Sequence, residues 1–180
     1  MKIAQQLKEK NIAEYLIYMW QVEDLIRANG CNLDTLKQQL IAHYPQEERK
    51  ALEEWYGNLI EMMRAEGVVE KGHLQINKNV ILNLTDLHAS LLASVRYPFY
   101  NAAYFKALPF IVELRQKNGK KDEPELETCF EALYGVLFLK LQKKEISPET
   151  AKAMEAISSF ISLLASYYDK ERKGELKLDD

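Results

Sequence analysis

Glu23, Asp24 and Arg27 form the densest set of chemically capable side chains in this sequence. Glu23 and Arg27 stand four residues apart and Asp24 and Arg27 three apart, so on a helix both carboxylates can meet the guanidinium within one turn. With the Trp20 indole one turn earlier, such a set would hold an anion or polar substrate against an aromatic wall. The alternative is a structural ion pair at the rim of a core, and that is the preferred reading. A second set is Arg96-Tyr97-Pro98-Phe99-Tyr100-Asn101, with Tyr104 one turn further on. A guanidinium stacks and forks while phenols donate, which suits an aromatic or anionic ligand. Tyrosines at helix joints more often pack with one satisfied hydroxyl. The candidate ligand contacts are therefore Trp20, Glu23, Asp24 and Arg27 in one segment, and Arg96, Tyr97, Tyr100 and Tyr104 in the other.

Other chemistries find no pattern. His43, His73 and His88 are scattered. Glu70 and His73 have the Glu-x-x-His spacing of di-iron bundles, but Gly72 spoils the helix and no second copy exists. His88, one turn past Leu84, reads as a core or boundary histidine, so no metal ligand is assigned. No Gly-x-Ser-x-Gly elbow occurs, Cys31 and Cys129 lack a basic neighbour in sequence, and no glycine-rich loop opens a helix. No catalytic residue and no cofactor are assigned, and the balance leans away from an enzyme.

Those residues need a scaffold, and composition points to helices. The 180 residues are 47% hydrophobic and 28% charged, with a net charge of −3, ten Tyr, seven Gly and five Pro. Few turn residues favour continuous helices over a β fold. The balance offers no support for a nucleic-acid coat. The longest apolar run, Tyr15–Trp20, is far short of the roughly 20 residues of a membrane span. No secretory leader is read in Met1–Gln6, and two distant cysteines suit a reducing cytoplasm.

Punctuation divides the chain into helices. Asn11 is an N-cap candidate, with Glu14 at the capping-box position, for a helix that ends at Gly30. That helix is apolar on nearly every face, the mark of an element enclosed by others. Asn32 or Asp34 opens a short helix ended before Pro45. The next spans Gln46 to Glu66, with Leu52, Trp55, Tyr56, Leu59, Ile60 and Met63 on one face. Residues 68–76 form a small hairpin or loop, and helical spacing resumes from Val80 to Val95. Pro98 and Pro109 bracket a segment that a proline should kink or restart. Leu126, Phe130, Leu133, Leu137 and Leu141 then form an inward stripe. Ser147-Pro148 starts a last helix, whose seam is Met154, Ile157, Ile161, Leu164 and Tyr168. Beside that seam runs a stripe of Ser158, Ser162 and Ser166.

A winged-helix arrangement is an alternative, with the 46–66 helix entering the major groove and 68–76 as the wing. Its face carries Glu47, Glu48, Glu53, Glu54, Glu61 and Glu66 against Arg49, Lys50 and Arg64, which phosphates would repel. Lysines gather instead at 117–121 and 140–144, where helix ends and solvated faces account for them.

The segments Tyr18-Met19-Trp20-Gln21-Val22-Glu23-Asp24-Leu25-Ile26-Arg27 and Lys143-Lys144-Glu145-Ile146-Ser147-Pro148-Glu149-Thr150 resemble an uncharacterised domain-of-unknown-function family of short, all-helical Bacteroidetes proteins. The resemblance covers nearly the whole chain. It implies an intracellular bacterial protein with an all-helical fold, and it carries no activity and no functional residue.

The expectation is an all-α, single-domain bundle of about six to seven helices over residues 1–173, with a frayed tail at 174–180. Its expected role is non-enzymatic: a cytoplasmic interaction or small-ligand-binding protein. Its partners would be a second copy, paired through an apolar helix face that includes the Met154–Tyr168 seam, and an unidentified small molecule. Neither nucleic acid nor membrane is expected. The alternatives are a winged-helix-like DNA-binding regulator, or an enzyme with a site assembled from Glu23, Arg27, Arg96 and Tyr100.

Overall fold

Local signals set the helix boundaries in the computed structural model, which describes residues 1–178. The elements are α1 (Lys2–Lys10), α2 (Ile12–Ala28), α3 (Leu33–Gln39), a 3-10 turn (Ile41–His43), α4 (Gln46–Ala65), α5 (Gln75–Ala93), α6 (Pro98–Lys117), α7 (Glu125–Leu141) and α8 (Pro148–Arg172). The fold is all-α, with eight α-helices rather than six or seven and no strand among the described residues. No helix among them is long and apolar enough to cross a membrane.

The Asn11 side chain accepts from the Ala13 amide at 3.0 Å and separates α1 from α2. Gly30, at φ +67°, ends α2. The amides of Gly30 and Cys31 return to the carbonyls of Arg27 and Ile26 at 2.9 Å each, which closes the helix end. Asn32 caps α3 through the amides of Asp34 and Thr35, and Ser147 caps α8 through the Thr150 amide. Residues 67–74 are a loop and not a hairpin, and α5 starts at Gln75, earlier than its periodicity suggested. Pro109 does not restart a segment: α6 runs through it. Pro109 and Phe105 both lie on the exposed face, where water can satisfy the Phe105 carbonyl that loses its donor.

The molecule divides into two compact units. The first comprises Met1–Lys10 and Glu14–Val80; the second comprises Asn11–Ala13 and the chain from Ile81 onward. In the first unit α2 contributes Met19, Val22 and Ile26 to a core shared with Leu36, Ile41, Leu52, Tyr56, Ile60, Met63 and Leu74. Leu16 and Trp20 are buried too, whereas Tyr15, Ile17 and Tyr18 are half-buried, so enclosure of the Tyr15–Trp20 run is incomplete. The phenols reach outward: Tyr18 donates to the Met1 sulfur at 3.3 Å, and the Lys8 ammonium lies 5.6 Å from the Tyr15 ring centre.

In the second unit α6 packs chiefly along α8, with α7 against both. Met154, Ile157, Ile161 and Leu164 are buried there, so the seam proposed for pairing with a second copy is occupied within the protomer. The stripe of Ser158, Ser162 and Ser166 is exposed. The inward stripe of α7 holds only at its start. Leu126 and Phe130 are buried, Leu133 and Leu137 are half-buried, and Leu141 is 65% exposed. Beyond α8 the chain runs without helix through Leu178, and the Tyr97 hydroxyl donates to the Lys177 carbonyl. Asp179 and Asp180, the end of the expected tail, lie outside the described residues.

Candidate functional site

A carboxylate on a buried helix must be neutralised or hydrogen-bonded, and Glu23 is 1% exposed. Its partner is not Arg27. Glu23 Oε1 accepts from the Leu74 amide at 3.0 Å and from Asn77 Nδ2 at 2.6 Å, and Oε2 lies 2.7 Å from His73 Nδ1. Facing a carboxylate, Nδ1 carries the proton, which leaves Nε2 as the basic edge of the ring. His73 also stacks on Trp20, with centroids 4.2 Å apart and planes 12° apart.

One turn along α2, Arg27 pairs with Asp24 at 2.9 Å, as the spacing led one to expect. Its Nε and Nη2 reach the Val68 carbonyl at 3.3 and 3.0 Å, and Nη2 also donates to the Gly72 carbonyl. Trp20, Glu23, Asp24 and Arg27 thus act together, as a clamp from α2 onto the loop before α5. All of Arg27's nitrogens are directed at protein acceptors, which is the structural role weighed above. An imidazole held by a carboxylate can accept a proton or ligate a metal through Nε2. Among the described residues, the one metal-compatible group of three or more carboxylates, imidazoles and thiols lies elsewhere.

The tyrosine segment belongs to the second unit. Tyr100 is fully buried and Tyr104 nearly so, while Arg96 is exposed. Tyr97 is half-buried, edge-on to Tyr167 at 4.9 Å. Tyr100 and Tyr104 gather around His88, whose Nδ1 lies 2.5 Å from the Tyr100 hydroxyl and whose ring meets those of Tyr104 and Phe160 at 4.7 and 5.5 Å. The Tyr104 hydroxyl donates to Glu125 at 2.7 Å. Burial pushes the Tyr100 and Tyr104 hydroxyls and the Cys129 thiol well above their ordinary values. For Tyr104 and Cys129 the Glu125 charge adds to this and Arg115 opposes it. Burial lowers His88, with Glu125 opposing. A neutral His88 therefore accepts a hydrogen bond from the Tyr100 hydroxyl, and Cys129 is an inert buried thiol.

The lowered His88 value has a consequence for stability. The unfolded chain takes up a proton near the ordinary histidine value, about 6.5, before the folded chain does. Stability contributed by neutral His88 is present above that value and is lost as pH falls through it toward the lowered folded value. Unfolding free energies from urea titrations between about pH 7.5 and pH 5.5 should fall with a slope below about 1.4 kcal/mol per pH unit from this residue. His88→Gln should flatten that slope, and an unchanged slope would remove His88 as its source.

The metal-compatible group is Glu123, Glu127 and Glu131, whose oxygens converge within 4.8 Å. The Lys120 ammonium already sits 2.9 Å from Glu123 and 2.7 Å from Glu131, a cation supplied by the chain itself. Between α7 and α8 a groove of about 400 Å³ is lined mainly by Leu133, Val136, Leu137, Ile146 and Met154.

Sequence reasoning located α2 and the tyrosines, and passed over His73, Asn77 and Glu125 as their partners. The partner of His73 lies fifty residues upstream, and no spacing rule connects the two.

A family model described as Domain of unknown function (DUF4924) matches residues 1–175. No curated protein and no solved structure matches the chain.

Proposed function

The chain belongs to the DUF4924 family, whose description assigns no activity, and from its own surfaces we propose that it is a non-enzymatic interaction protein that self-associates. One observation carries this reading. From Leu133 to Leu141, α7 is apolar at every position except Gly135 and Lys140, yet none of these residues is buried. A helix that is apolar all round is ordinarily enclosed, and open apolar patches of this size mark contact surfaces. The side chains first considered as ligand contacts are engaged internally: Glu23 and Arg27 in the loop clamp, Tyr100 and Tyr104 around His88. That favours interaction over small-ligand binding. It equally weakens an enzyme built from Glu23, Arg27, Arg96 and Tyr100.

The DNA-binding alternative gains little. Besides the acidic face of α4, Arg49 donates to the carbonyls of Tyr44 and Ala42 at 2.9 Å each, and Arg64 donates to the Cys31 carbonyl at 2.7 Å. Two free, buried cysteines suit the cytoplasm of a bacterium, the setting included in this proposal. Residues 1–173 are proposed to unfold as one domain, so calorimetry should give one transition. Static light scattering across the micromolar range should give twice the chain mass; a constant monomer mass would contradict the reading.

A further inference from the structure

We infer that the outer face of α7 is the contact between two copies of this chain, packed antiparallel about a two-fold axis near Gly135; this rests on the self-association proposed above. Glu127, Glu131, Tyr134, Phe138 and Leu141 step by four, three, four and three, which aligns them as one stripe along the helix. Phe138 is 52% and Leu141 65% exposed.

Gly135 lies beside that stripe, in the middle of the helix and exposed. A glycine there weakens a helix relative to alanine. Nothing inside the protomer asks for it, because a Cβ at this position would meet no heavy atom within 4 Å. A close approach by a second helix supplies the missing reason.

Charge selects the second copy over an unrelated partner. At the start of α7 stand the carboxylates of Glu127 and Glu131 and, just before the helix, Glu123, only partly neutralised by Lys120; at its end stand Lys140 and, just past the helix, Lys143 and Lys144. Glu127 lies eight residues before Gly135, about 12 Å along the axis, and Lys143 follows the opposite end of the helix, just past its cap at Gln142. A two-fold at Gly135 therefore sets the acidic end of each copy against the basic end of the other. A surface complementary to itself under a two-fold is what an isologous dimer requires.

The area is consistent as well. A standard interface buries about 800 Å² per partner, a little over half of it apolar. Phe138 and Leu141, 52% and 65% exposed, leave on the order of 100 Å² each open toward such an interface.

Sedimentation equilibrium of the full chain and four variants tests this. The wild type should be a dimer, and Phe138→Glu should raise its dissociation constant at least ~30-fold. Phe105→Glu, on the exposed face of α6, should leave it within about twofold. Lys143→Glu should weaken the dimer and Glu127→Lys/Lys143→Glu should restore it. If Phe138→Glu fails to fold by circular dichroism, Gly135→Ala replaces it, with a weakened dimer expected at an unchanged or raised melting temperature. A dimer indifferent to the α7 substitution overturns this contact while self-association stands. Failure of the charge swap to restore association overturns the antiparallel register, and a monomeric wild type overturns both proposals.

Discussion

Glu23→Ala should lower the stability of the chain by about 3–5 kcal/mol, the cost of removing one partner from a buried charged network. The carboxylate is 1% exposed and accepts from His73, Asn77 and the Leu74 amide. Its deletion leaves the Leu74 amide and Asn77 as donors in a buried site, beside the partly exposed His73, and each buried unmet group carries its own desolvation cost. Asn77 is already short of partners, since its Oδ1 is buried without one. Glu23→Gln keeps the shape and one acceptor oxygen but turns an amide group toward donors, so its loss should be smaller, about 1–3 kcal/mol. Urea unfolding followed by circular dichroism gives both numbers. A Glu23→Ala midpoint equal to the wild type would mean that the loop is held by something other than the Glu23 carboxylate.

Trp20→Ala should cost a comparable amount, about 3–5 kcal/mol, by a different route. The indole is 2% exposed, so truncation leaves a cavity and also strips His73 of its stacking surface, a contact worth about 0.5–1.5 kcal/mol beyond burial. Against the marginal stability of most domains this is a large share. Because Trp20 and Glu23 both bear on His73, their effects should not add. The double variant should lose less than the sum of the singles. Strict additivity would show that the stack and the carboxylate act on the loop independently.

What was legible in the sequence was what is decided locally. Asn11, Asn32 and Ser147 cap helices because a side-chain oxygen and the amides it serves lie within three residues. Gly30 ends α2 because only backbone freedom at one residue is needed. The seam from Met154 to Leu164 was legible because a regular apolar stripe repeats at helical period. Pro109 misled because its effect depends on which way it faces, and on the solvent side of α6 water compensates for the missing donor. The 67–74 loop and the early start of α5 were opaque, since their order comes from Glu23 and Arg27 some forty to fifty residues earlier. Pairing of Glu23 with Arg27 was the reasonable local expectation, and a tertiary partner displaced it. The stripe of α7 shows a further limit. Periodicity marks a face to be covered, but it does not say whether the cover comes from the same chain, and Leu141 and Phe138 remain open where Leu126 and Phe130 are enclosed.

The interaction reading turns on whether α7 acquires a cover in solution. Hydrogen–deuterium exchange of the peptide spanning residues 133–141, recorded at dilute and concentrated protein, reports this at the helix itself. Protection that rises with concentration in that peptide, while the peptides of α2 and α4 stay constant, is the expected result. Exchange in 133–141 that is independent of concentration, with the protein monomeric throughout, would contradict it.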